Sequence, residues 1–352
     1  MSSWKENVRS VEPYTPGEQP QRKDIIKLNT NENPYPPSPA VEEALRAFDV
    51  GRLRKYPTPD AAELVSALSE VYGLPKEQIY VGVGSDDVLA MSFLTFFNSK
   101  KPILFPDVTY SFYDVWADLF KIPYERLPLA SDWSVLPGDY LRENGGVVIP
   151  NPNAPTGKLL PLSDIEKIVA GNPASVVIID EAYIDFGGES ALPLLSKYEN
   201  LLVVRTMSKS RSLAGSRIGF AFGNPDLIKY LWDVRNSFNS YTMDSVTQAV
   251  GAASLRDRAY FEDTCSRIMK TRERFSAEMK ALGFTFPESA ANFIFASHPE
   301  IDAAKLFSDI KEAGIFVRYF PGPRTGQSLR ITIGTDEEMD RLIAFLKEYL
   351  KK

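Results

Sequence analysis

From about residue 60 onward, short apolar runs alternate with amphipathic stretches. Ala61, Leu64, Val65, Leu68 and Val71 recur at helical spacing and predict a helix over 60–72. Ile79-Tyr80-Val81 is strand-like and leads through Gly82-Val83-Gly84-Ser85 into a helical run over 86–97. A strand at 102–105, a helix at 111–120 and the buried-type strand 146–149 follow. Ser163 with Glu166 predicts a capping box that opens a helix to about Ala170, ahead of strands at 176–179 and 201–204. Short β-branched strands separated by helices predict a parallel sheet covered on both faces. Helical patterns fill 225–282. Beyond Gly283 the pattern mixes: strand 292–296, helix 302–313, strands 315–318 and 328–333, then a last helix capped by Thr335 with Glu338. Residues 13–39, rich in Pro, Asn, Gly and Gln, read as an extended arm. The expected organisation is an N-terminal arm (1–39), a large α/β domain with a mainly parallel central sheet between helices (40–255), and a smaller α+β domain (256–352).

Composition narrows the chemistry. Lys and Arg number 40 against 46 Asp and Glu, a net charge of −6 that argues against a general nucleic-acid or anionic-membrane binder. No apolar stretch approaches the ~18 residues needed to span a bilayer and no signal-type segment opens the chain, so a cytoplasmic protein is expected. A single cysteine, Cys265, excludes an intrachain disulfide and a thiolate metal site. The single histidine, His298, sits at a turn and is expected to be structural. No metal is expected, and the reactive groups are left to Lys, Asp, Tyr and Arg.

Four segments carry those groups. Thr206-Met207-Ser208-Lys209 follows a buried-type strand, so its side chains emerge at the carboxyl end of the sheet, where open α/β sheets bind ligands. Arg211 and Arg217 are expected to crowd Lys209 with like charge, while Thr206, Ser208 and Arg217 offer donors for a phosphate. Asp180 ends another buried strand and Tyr183 follows three residues later, an acid for a protonated heterocycle nitrogen and a phenol for an oxygen on the same ring. Gly84, Ser85 and Asp86 join a strand to a helix N-terminus suited to a compact monophosphate, and the six-residue dinucleotide fingerprint is absent. Finally, Asn151-Pro152-Asn153-Ala154-Pro155-Thr156-Gly157 forms a rigid turn with asparagine amides available to a ring oxygen. Singly, each segment also reads as an ordinary turn or loop.

Together, in this order, the segments resemble fold-type I, class I/II-like pyridoxal-phosphate enzymes, and among these the histidinol-phosphate aminotransferases. The resemblance extends from Leu28-Asn29-Thr30-Asn31-Glu32-Asn33-Pro34 through Tyr56-Pro57 to the segment 328–335. It implies pyridoxal 5′-phosphate as cofactor, bound in the large domain and carried by Lys209 as a Schiff base. It further implies Asp180 at the pyridine nitrogen, Tyr183 at the ring oxygen, and Gly84, Ser85, Asp86, Ser208 and Arg217 around the phosphate, with the backbone amide of Asp86 more useful there than its carboxylate. Tyr110 would stack on the ring, Tyr56 would reach the phosphate of a neighbouring subunit in a homodimer, and Arg330 would take a substrate carboxylate. Arg318, Tyr14 and Asn31 are candidates for a substrate phosphate. Many relatives place an asparagine directly before the proline where this chain has Ala154, which leaves either Asn153 or Tyr183 alone for that contact.

The implied activity is amino transfer to small-molecule substrates, between glutamate with 2-oxoglutarate and histidinol phosphate with imidazole acetol phosphate. The same motifs serve aromatic and other 2-oxo acid aminotransferases and a threonine-phosphate decarboxylase.

Overall fold

The computed structural model describes residues 4–20 and 24–351, so the predicted arm lies partly outside the described residues. Seven strands build the central sheet: β2 (Ile79–Gly82), β3 (Ile103–Pro106), β4 (Tyr124–Leu127), β5 (Gly146–Pro150), β6 (Val177–Asp180), β7 (Leu201–Thr206) and β8 (Gly219–Gly223). A short β1 (Ile26–Lys27) precedes them in the chain. The sheet order is β2-β8-β7-β6-β5-β3-β4, and β8 alone runs against the rest.

Alternation along each strand sorts side chains onto two faces. Val147, Ile149, Val177, Ile179, Leu201 and Val203 pack on one face with α2 (Ala62–Tyr72), α5 (Leu162–Gly171) and α7 (Ser245–Arg256). Val148, Ile178, Leu202 and Val204 pack on the other with α3 (Ser85–Phe96), α4 (Phe112–Phe120) and α6 (Pro225–Phe238). A separate core joins α8 (Arg258–Ala281), β9 (Phe293–Ala296), α9 (Ala303–Glu312), β10 (Ile315–Phe316), β12 (Leu329–Thr332) and α10 (Asp336–Tyr349). There β11 (Arg318–Tyr319), β12 and β9 form an antiparallel sheet. Ile26 and Leu28 belong to this core, because β1 pairs in parallel with β10 and so docks the arm.

Several elements differ from the pattern-based expectation. The edge strand β4 carries exposed Glu125 and Arg126, which conceal its period. The antiparallel β8 lies between two glycines, directly after a polar loop, and α1 (Pro39–Ala47) falls inside the stretch assigned to the arm. The expected 315–318 strand is two short strands separated by Val317. The capping box at Ser163 is not formed: α5 begins at Leu162 without a side-chain cap, and Glu166 accepts hydrogen bonds from Lys197 and Tyr198. The box at Thr335 and Glu338 is present on α10. No described helix is long and apolar enough to cross a membrane.

Candidate active site

Because β2, β3, β5, β6 and β7 share one direction, the turns after them gather at one edge of the sheet. A cavity of about 360 Å³ opens there, walled by Ser85, Asp86, Tyr110, Asp180, Tyr183, Ser208, Lys209 and Arg217. A second, of about 140 Å³, adjoins it and is walled by Tyr14, Asn31, Arg318 and Arg330. Thr30, Tyr110, Ala154, Tyr183 and Lys209 line both.

The first cavity is built from backbone as much as from side chains. Gly84 has φ +88°, in the left-handed region, and a Cβ there would collide with the Arg217 guanidinium. A Cβ at Gly219 would run into the backbone of Gly84 and Ser85. Asp87 accepts a hydrogen bond from the Val83 N–H at 2.8 Å and shapes this turn. The first N–H groups of α3 have no partner within the helix, and Ser85 and Asp86 of that turn line the cavity together with Arg217. The Asp86 carboxylate bridges Arg217 (3.0 Å) and the Tyr110 hydroxyl (2.7 Å), a use of that carboxylate which the sequence did not foretell.

At the cavity floor Asp180 is buried and accepts hydrogen bonds from the Tyr113 hydroxyl (2.8 Å) and the Ala182 N–H (3.2 Å). Burial outweighs these bonds and pushes its carboxyl up to about 6. Tyr110 and Tyr113 are held well above the usual phenol range by burial and by the carboxylates of Asp86 and Asp180, so both remain donors. Lys209 Nζ donates to the Thr30 carbonyl at 3.2 Å and lies 5.8 Å from the centre of the Tyr183 ring. Glu32 stands near it, paired with Lys27; burial pushes its carboxyl up, but the Lys27 ammonium prevails and holds it below the usual range.

In the second cavity Arg318 and Arg330 are direct cross-strand partners. Arg330 is half-buried, donates to the Asn29 carbonyl at 2.9 Å, and lies about 5.4 Å and 5.3 Å from the ring centres of Phe293 and Phe320. Its Nε has no partner, no carboxylate pairs with it among the described residues, and burial depresses its guanidinium from the ordinary value. Arg318 donates to the carbonyls of Thr15 (3.2 Å) and Pro16 (3.4 Å). Tyr14 stacks on Phe112 at 4.2 Å.

Some expected site residues stand elsewhere. Asn153 lines neither cavity: its amide nitrogen donates to the Val108 carbonyl and the Thr156 hydroxyl, and Ala154 faces the cavities instead. The Thr206 hydroxyl is spent on the Ile218 carbonyl and on Ser208, so it supports the wall without forming it. Asn31 lines the second cavity, but its amide is committed to Tyr183 and Thr332. Tyr56 is 81% exposed, stacks on Tyr241 at 4.7 Å, and is absent from both cavities of its own chain. Arg211 turns away from Lys209, onto the Ser254 carbonyl and the Phe261 ring, which leaves Arg217 as the cation of the expected pair at the cavity. Cys265 and His298 line neither cavity, and no cluster able to hold a metal occurs among the described residues.

Sequence reasoning missed Tyr113, which holds Asp180, and Asn33, whose amide donates to the carbonyls of Lys209 and Ser210. It also missed Asn292, which donates to the Asn31 carbonyl. Tyr113 lay in view beside Tyr110, and its place one helical turn further on was the available signal. The two asparagines gave no local signal.

An amine facing a cavity, a buried acid for a ring nitrogen, and a glycine-lined helix N-terminus with a guanidinium for a phosphate fit pyridoxal phosphate, in a volume suited to a small cofactor. Fold and site thus define a pyridoxal-phosphate-dependent aminotransferase of fold type I, and the chain belongs to the class I and II aminotransferase family, whose profile matches residues 23–346. Among its relatives, the histidinol-phosphate aminotransferase of Lactococcus lactis subsp. cremoris (strain MG1363) is 54% identical over 349 residues, 99% of this chain and 98% of that one. That of Clostridium acetobutylicum (strain ATCC 824) is 52% identical over 345 residues, 98% of each chain. The structure of histidinol-phosphate aminotransferase from Sinorhizobium meliloti in complex with pyridoxal-5′-phosphate matches with TM-score 0.84 and 25% identity, over 93% of this chain and 91% of that one.

Proposed function

We propose that this enzyme moves an amino group between glutamate with 2-oxoglutarate and histidinol phosphate with imidazole acetol phosphate, the histidine-biosynthetic reaction, as a cytoplasmic homodimer. The observation that carries the substrate reading is the pair of arginines, Arg318 and Arg330, in the cavity next to Lys209. Like charges on facing strand positions repel, and a guanidinium whose Nε is buried without a partner is costly. An anionic substrate group relieves both. Two arginines also suit a pocket that must take a carboxylate from one substrate and a phosphate from the other.

Pyridoxal phosphate supplies the electron sink that amino-acid side chains lack. Lys209 holds it, and the freed Nζ, at the wall shared by the two cavities, takes the proton from the amine-bearing carbon of the substrate and keeps it for return, as base and then acid. Asp180 pairs with the ring nitrogen, and Tyr113 keeps that carboxylate in place. Tyr183 donates to the ring oxygen. Ser85, Ser208, Arg217 and the backbone of Gly84–Asp86 bind the phosphate, while Tyr110 covers the ring. Tyr14, stacked on Phe112, forms one wall of the second cavity. The exposed pair of Tyr56 and Tyr241 supports the dimer, in which Tyr56 reaches the partner's site. The division at about residue 255 belongs to the same proposal, since the cores on either side are distinct. The net charge of −6 supports small-molecule partners over nucleic acid.

The test is an absorbance spectrum of the purified protein with pyridoxal phosphate, then with glutamate, then with imidazole acetol phosphate. Glutamate is expected to bleach the visible band and the keto phosphate to restore it. Restoration only by other 2-oxo acids would overturn the substrate assignment, and a band that does not depend on Lys209 would overturn the mechanism.

A further inference from the structure

We propose that Asn31 is a positioning residue that aims the Tyr183 hydroxyl proton into the cavities. The inference rests on the cofactor reading above and extends it to a residue outside the sheet-edge turns.

Asn31 is 1% exposed and has φ +56°, a left-handed conformation that asparagine tolerates better than most residues. Three bonds fix it. Its N–H donates to the Thr332 hydroxyl at 3.0 Å, its side-chain oxygen accepts from that hydroxyl at 3.0 Å, and its carbonyl accepts from Asn292 Nδ2 at 3.0 Å. The Thr332 hydroxyl accepts from the Asn31 N–H and gives its own proton to Oδ1, and the amide turns Nδ2 toward Tyr183. Nδ2 donates to the Tyr183 hydroxyl at 2.9 Å.

An amide nitrogen has no accepting capacity, so the Tyr183 oxygen accepts here and its proton must point elsewhere. Apart from the cavity side, where Lys209 Nζ lies 5.8 Å from its ring centre, Tyr183 packs against apolar groups. Its ring meets Phe293 edge-on at 5.0 Å and packs with Ala154 and Ala291. Among the described residues Asn31 is the one hydrogen-bond partner of that hydroxyl. Ala154 offers no donor at this wall, and the Asn153 amide is spent behind it. The proton is thus directed toward the space that both cavities share, where a ring oxygen would receive it. Donation to that oxygen stabilises negative charge on it and keeps the adjoining nitrogen of Lys209 less basic.

The experiment measures the pH midpoint of the visible band in the cofactor-loaded protein and, separately, the affinity of the cofactor-free protein for pyridoxal phosphate. Asn31→Gly keeps the left-handed backbone and removes the donor. It is expected to raise the midpoint by about half to one pH unit and to weaken cofactor binding several-fold. In a Tyr183→Phe background the same substitution is expected to move neither quantity. Asn31→Asp retains the Thr332 bonds and provides a second variant if the glycine protein folds poorly. Its shift is expected to be larger with Tyr183 present than in the Tyr183→Phe background. An unmoved midpoint in Asn31→Gly, or equal shifts with and without the Tyr183 hydroxyl, would overturn the inference and leave Asn31 as an anchor of the arm alone. Failure of the unaltered protein to form a Lys209-dependent band would instead overturn the cofactor reading itself.

Discussion

The two adjoining cavities are built in different ways. The walls of the first come from turns directly after parallel strands: Ser85 and Asp86 after β2, Tyr110 after β3, Asp180 at the end of β6, and Ser208 with Lys209 after β7. The second depends on contacts between distant parts of the chain. Arg330 donates to the Asn29 carbonyl and the Asn31 N–H donates to Thr332, each across 301 residues of sequence, and Arg318 holds the arm by its carbonyls. The first cavity is therefore a property of the sheet edge, whereas the second requires the arm and the C-terminal core to dock. Damage to the first should remove the chemistry; damage to the second should change which substrate is held, and how tightly.

The largest effect is expected at Lys209. Lys209→Ala removes the group proposed as base and acid, and amino-transfer turnover should fall by at least about 10⁴-fold. The protein should still take up pyridoxal phosphate noncovalently, since the phosphate donors do not depend on the amine. Equilibrium dialysis beside a turnover assay checks both halves, and retained turnover would overturn the role.

Asp180 tests whether the first cavity trades stability for chemistry. Its folded-state value, raised to about 6 by burial, means that the ionised carboxylate is disfavoured in the folded, cofactor-free protein. The unfolded chain ionises first, so this group's contribution to stability falls as pH rises from about 4 to about 6 and remains unfavourable above that. Asp180→Asn keeps an acceptor for Tyr113 and removes the charge. At pH 7 the cofactor-free variant should be more stable than the unaltered protein by on the order of 2 kcal/mol, the gain vanishing below about pH 4. Turnover should nonetheless fall about 10²–10³-fold, because the ring nitrogen would lose its proposed anionic partner. Urea melts at pH 4 and pH 7 measure the first effect; a gain that does not depend on pH would contradict it.

The same division explains what the sequence revealed. Gly84, Asp180, Ser208, Lys209 and Arg217 sit in short segments where a strand ends and polar or small residues follow, so local pattern locates them. Thr206 belongs to the same segment, yet only the structure shows its hydroxyl bonded behind the wall, to the Ile218 carbonyl. On the second side, Arg318 and Arg330 came into view through the family resemblance, but their register as cross-strand partners needs the folded sheet. Asn31, Asn33 and Asn292 carry no local mark because their partners are distant: Tyr183 and Thr332, the carbonyls of Lys209 and Ser210, and Asn31 itself. The strand β8 was hidden for a related reason. Its direction depends on the loop of residues 207–218, which returns the chain to the same sheet edge.

On the substrate side the arginines should separate from each other. Arg330→Lys retains charge but loses the fork that matches a carboxylate or phosphate. The KM for the substrate is expected to rise about 10–100-fold, with a smaller change in kcat. Arg318→Ala should raise KM less, about 3–10-fold, because part of its hydrogen bonding goes to the Thr15 and Pro16 carbonyls. Equal effects of the two substitutions would mean that the cavity treats the pair as one site. Cofactor affinity should be unchanged in both variants, and a large loss of cofactor binding would break the distinction between the two sides.

The smallest effect is expected at Arg324, which ties the segment between β11 and β12 to the large α/β unit. Its guanidinium pairs with Asp107 at 2.7 Å, donates to the carbonyls of Leu129 and Ala130 at 3.0 and 3.1 Å, and covers the Trp133 ring. The pair is about a third exposed on the arginine side, so solvent screening leaves it on the order of 1 kcal/mol. The segment it holds carries Phe320, which lies against both Arg318 and Arg330. Arg324→Ala should therefore raise KM about 2–5-fold through a looser Phe320, lower stability by about 1 kcal/mol, and leave cofactor affinity unchanged. Asp107→Asn, which keeps an acceptor and removes the charge, should give the same pattern at reduced size. If either variant weakened pyridoxal phosphate binding as much as substrate binding, the two cavities would be mechanically one, and the contrast between sheet-edge and docked construction would fail.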